Sequence, residues 1–129
     1  MKQVTSNVYV EDQFSVPPIC NGTQPSLAHC SPLEWVSSLK RIEGMEVDTV
    51  VPGHGEMCGL KEVAIFRQFI ENCIEMTQSA IREGKDRDQV ADSVSFEGLY
   101  PGELCRRAVH PGIAMQRRNV LRLYEMLSG

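Results

Sequence analysis

Histidine, aromatic side chains and long apolar runs are all scarce in this chain of 129 residues, and each shortage excludes something. The histidines His29, His54 and His110 are too scattered to compose a metal centre among themselves, because zinc takes roughly three or four N, S or O ligands at recognisable spacings. Aromatic residues make up 6% of the chain, too few to interleave as the stacking platform that single-stranded nucleic acid needs. No apolar run approaches the roughly 18 residues of a membrane span. The opening MKQVTSNVYV has no apolar signal core, so no membrane partner is expected. Cysteine is present but unorganised: Cys20, Cys30, Cys58, Cys73 and Cys105 are odd in number and form no CxxC pair, which predicts reduced thiols in a cytoplasm. The 13 Lys and Arg residues against 17 Asp and Glu give a net charge of -4, which opposes wholesale attraction to nucleic acid or anionic membranes.

What is present suits one domain spanning residues 1–129, long enough to bury about two thirds of the surface that its unfolded form exposes. QVTSNVYVEDQF alternates and is rich in strand formers (Val4, Val8, Tyr9, Val10), which predicts one strand near the N-terminus. SVPPICNGTQPSLAHC is dense in Pro, Asn, Gly and Ser without a period and reads as a long loop. SPLEWVSSLKRIEG carries helix-entry signals, with Ser31 at the N-cap, Pro32 at the first helical position and Glu34 placed to close a capping box. Val36, Leu39 and Ile42, with Trp35 alongside, form its apolar stripe, and Gly44 is its stop. VDTVVPGHG reads as a buried strand that opens into a tight loop after Pro52.

From Leu60 to Glu83, Val63, Phe66, Ile70, Cys73, Ile74 and Ile81 recur at helical spacing before Gly84 offers a left-handed cap. DRDQVADSV predicts a short helix starting at Asp86 or Asp88, and SFEGLYPGELCRRAVHPG a turn-rich stretch. IAMQRRNVLRLYEML closes the chain as an amphipathic helix on Val120, Leu123, Tyr124 and Leu127. This order predicts an α/β fold with helices packed on one face of a small sheet. Two strands make a poor sheet alone, so something is expected to cover its other face or edge.

The chemistry concentrates in VDTVVPGHGEMCG. A His between two glycines, directly after a predicted strand, is held by rigid structure while its ring projects, so His54 suits metal binding or proton shuttling. The simpler alternative is that His54 caps a turn through hydrogen bonds. Cys58 could complete a soft-metal site with Cys30 or His29, although a buried thiol at a helix start is the commoner state.

SPLEWVSSLKRIEGMEVDTVVPGHGEMCGLKEV resembles the helix, strand and VPGHG loop in the C-terminal half of metallo-β-lactamase-fold hydrolases. VTSNVYVEDQF resembles the strand that in that family reads TGDNVF or TSDNVF, and RRNVLRLYEML resembles its final helix, so the likeness covers nearly the whole chain. The resemblance implies the C-terminal half of a four-layer αββα sandwich. It also implies a dinuclear zinc or iron site between the halves, where the metals activate water to hydrolyse esters, thioesters, lactams or phosphodiesters. On this resemblance His54 matches the family's last metal-binding His. Asn7 stands at the position of the bridging carboxylate, or that residue is deleted; both cases remove the charge that holds two cations together. The HxHxDH motif of the family's N-terminal half is absent from this chain.

Three functions follow as expectations, none with a catalytic residue in the chain itself. The first is a truncated metallo-β-lactamase-like domain without hydrolase activity alone, its loop a vestigial metal ligand that is empty or holds zinc or iron. Its sheet would be completed by a homodimer through the sheet face or edge. The second is one part of a split metal-dependent hydrolase for ester, thioester or lactam substrates, completed by a separate N-terminal-half polypeptide. The third is a phosphate or nucleic-acid binding module built on Arg106, Arg107, Arg117, Arg118 and Arg122. A solvated helix face in an acidic chain is the better reading of those arginines, so nucleic acid is not an expected partner.

Overall fold

The structure, a computed structural model, describes residues 2–5, 8–10, 27, 31–53, 56–95 and 111–129, with the backbone alone for the strands and for residues 111–116. Helix α1 (Pro32–Glu43) starts where its sequence predicts. Ser31 is extended and its Oγ accepts the Glu34 N–H at 3.4 Å, while Pro32 occupies a first-turn position that needs no N–H donor. Gly44 ends the helix, its N–H donating to the Lys40 and Arg41 carbonyls at 3.2 Å.

Helix α2 (Leu60–Arg82) is the longest element, and its end explains itself residue by residue. Gly84 has φ +82°, the left-handed conformation that favours glycine. The chain reversal there lets the Gly84 N–H reach the Ile81 carbonyl at 3.0 Å and the Lys85 N–H reach the Ala80 carbonyl at 3.4 Å. This Schellman pairing satisfies carbonyls that the helix would otherwise leave open. Helix α3 (Arg87–Ser93) begins on a reciprocal capping box: Asp86 Oδ1 accepts the Gln89 N–H and Gln89 Oε1 accepts the Asp86 N–H, both at 2.9 Å. Helix α4 (Pro111–Ser128) closes the chain.

These helices bury their apolar stripes against one another. Trp35 and Leu39 of α1 meet Val63, Phe66 and Ile70 of α2, all of them buried, and the Trp35 and Phe66 rings stand edge to face at a centroid distance of 5.2 Å. Such an aromatic pair adds about 0.5–1.5 kcal/mol beyond its buried area. At the margin of this contact Arg67 Nη2 donates to Glu43 Oε1 at 3.0 Å and Nη1 donates to Glu71 Oε2 at 2.9 Å, and Lys40 Nζ lies 3.3 Å from Glu71. Helix α4 packs on α2 and α3, with Val120 and Leu123 buried beside Val90 in one continuous core. Leu27 joins this core from the N-terminal side of α1, its backbone N–H donating to the buried Asn119 Oδ1 at 2.8 Å.

The expected α/β fold, the C-terminal half of an αββα sandwich with a small sheet covered by helices, is overturned by this architecture. Helix packs on helix, and strand structure among the described residues is limited to one antiparallel two-stranded ladder, β1 (Lys2–Thr5) with β2 (Val8–Val10). Its register pairs Lys2 with Val10, Gln3 with Tyr9 and Thr5 with Val8, shifting between Gln3 and Thr5. The single strand expected over QVTSNVYVEDQF is therefore two short strands. Ser6 and Asn7, turn formers by composition, separate them in sequence.

The buried strand expected in VDTVVPGHG is not found among the described residues either. Val50 makes an isolated bridge to Cys58, and Val51 is 75% exposed. Strand propensity is realised only when a neighbouring strand and a covering layer are supplied, and here the core is filled by α1, α2 and α4 instead. The long loop SVPPICNGTQPSLAHC, apart from Leu27, and residues 96–110 of the turn-rich stretch lie outside the described residues, while the last two residues of that stretch, Pro111 and Gly112, belong to α4. Among the described residues no helix is long and apolar enough to cross a membrane.

Candidate metal-ligand loop

The segment VPGHGEM is tied at its base by backbone. Val50 N–H donates to the Cys58 carbonyl at 2.7 Å and Cys58 N–H donates back to the Val50 carbonyl at 2.9 Å. This mutual exchange is the closed pair of an antiparallel ladder, confined to one residue on each side. The clasp leads directly into α2. Gly59, extended at φ -118°, is the N-cap, and its N–H donates to Glu62 Oε2 at 2.9 Å. Glu62 thus reaches back over the first turn as the carboxylate of a capping box does, and a negative charge there also suits the positive end of the helix dipole. The Gly59 N–H holds the Glu62 carboxyl below its ordinary range, because that hydrogen bond favours the ionised form.

Cys58 is a half-buried free thiol at the closed end of the clasp. Burial pushes its pKa up, and the nearby Glu62 charge pushes it further in the same direction. The thiolate is the form that binds metal or attacks an electrophile, so this surrounding works against both. The two large side chains that flank the loop, Val51 at 75% and Met57 at 72% exposure, project into solvent.

The ligand residues expected from the sequence are distributed as follows. Cys58 is placed by the structure. His54, the expected metal ligand, belongs to the clasped segment but lies outside the described residues, as do Asn7 between β1 and β2, and Cys30 and His29. Among the described residues no three His, Cys, Asp or Glu side chains come together as a set that could hold a metal ion. Of the ligand residues expected from the sequence, the Cys58 thiol is therefore the one among the described residues.

Of the expected arginine cluster, Arg117 pairs with Asp92 at 2.6 Å and Arg122 lies 4.0 Å from Glu125, which also receives Arg87 at 3.7 Å. Arg118 is exposed, and Arg106 and Arg107 lie outside the described residues. Two of these cations thus have a carboxylate partner, Asp92 of α3 for Arg117 and Glu125 of α4 itself for Arg122.

Sequence reasoning passed over Glu62, which organises the start of α2. Its signal was available, since a Glu three residues after a Gly that precedes an apolar helix is half of a capping box. The exposure of Val51 has no such signal, since a β-branched pair before Pro52 fits a buried strand equally well. No protein-family model, no curated protein and no solved structure matches this chain.

Proposed function

We propose that this chain is a metallo-β-lactamase-like module without hydrolase activity of its own, whose clasped VPGHGEM loop keeps His54 as a solitary metal ligand. The observation that carries this reading is the backbone clasp between Val50 and Cys58 immediately ahead of the capped α2. It gives the most family-like stretch of the sequence, VDTVVPGHGEMCGLKEV, a fixed base from which a ligand loop springs. The reading rests on that local arrangement and on the motif. It does not require the αββα sandwich, which the helical packing excludes.

One imidazole is far short of the roughly three or four ligands that hold zinc, and Asn7 in the carboxylate's place offers a neutral amide, a weak donor for such cations. The HxHxDH motif that would supply the remaining ligands and the water-activating Asp is not in this chain. Ligands of that kind would have to be supplied from outside the 129 residues, by another copy of them or by a segment that carries that motif.

The test is turnover of a panel of ester, thioester, lactam and phosphodiester substrates by the chain supplied with zinc or iron. The expected result is no rate above that of the metal alone. Turnover that disappears in His54→Ala would overturn the reading and place a working centre at this loop.

A further inference from the structure

We draw no further inference here: the strongest candidate, the exposed apolar pair Val51 and Met57 on either side of the loop clasped by Val50 and Cys58, carries nothing because nothing in the structure shows what covers it.

Discussion

Cys58 and Asn119 show how much single side chains depend on their surroundings in this fold. Cys58 was visible in the sequence as a possible soft-metal ligand, but the groups that decide its chemistry, burial and the carboxylate of Glu62, become apparent only once α2 begins at Leu60. Its folded pKa is raised, so the protonated thiol is the favoured form in the native state. Any stability linked to it is present at low pH and is lost as pH rises through the raised value. The pH profile of iodoacetamide labelling at the Cys58 peptide, read by mass spectrometry, is expected to have its midpoint above the ordinary thiol value of 9.0. Glu62→Gln should move that midpoint down only in part, since burial is the larger cause; a midpoint at or below the ordinary value would contradict the described surroundings. Asn119 was not legible as a core residue. It lies on the same face as Val120 and Leu123, yet only the tertiary position of Leu27 explains why an amide is needed there. Asn119→Leu takes the acceptor from a buried N–H and should cost about 1–3 kcal/mol in urea unfolding. A neutral or stabilising result would mean that the contact between Leu27 and α4 contributes little.

At the scale of elements, the helices were legible from apolar period and from caps, both signals in α1 and α2, the cap in α3 and the period in α4. Ser31 with Pro32 starts α1, Asp86 starts α3, and Gly84 stops α2, as the residue types alone predict. Gly84 allows this to be tested cleanly. Beyond Gly84 and its two chain neighbours, no heavy atom of the described residues lies within 4 Å of where a Cβ would sit, so the effect of Gly84→Ala isolates backbone conformation. The left-handed backbone should make the alanine variant less stable by about 1 kcal/mol, measured by chemical denaturation. An unchanged midpoint would show that the chain leaves α2 by another route at little cost. The strands were less legible because their signals are short and borrow meaning from neighbours. Alternation runs through Val4, Val8 and Val10 and conceals the reversal between Thr5 and Val8. The β-branched residues Val47, Val50 and Val51 satisfy every local rule for a buried strand, yet Val51 faces solvent, because among the described residues only the one-residue bridge of Val50 to Cys58 pairs with this segment.

For the whole molecule, the order of elements suggested helices covering a sheet, whereas the described helices cover each other. The reason is visible in the core. Trp35, Leu39, Phe66 and Ile70 fill the contact between α1 and α2, and Val120 and Leu123 extend it, so the apolar faces assigned to a sheet are already occupied. Periodicity identifies an apolar stripe but does not identify its partner, and that ambiguity cost the fold class. The start of α2 after the loop was legible, whereas the strand expected before the loop is only the bridge of Val50 to Cys58, and the HxHxDH motif that the resemblance calls for is not in this sequence, which leaves His54 as the solitary ligand proposed. Elemental analysis of zinc and iron per chain, on protein purified without chelator and compared with His54→Ala, tests this most directly. A solitary ligand predicts well below one metal per chain in both proteins, with equal helical circular dichroism. Near-stoichiometric metal that vanishes in His54→Ala would contradict it and would mean that His54 belongs to a complete centre.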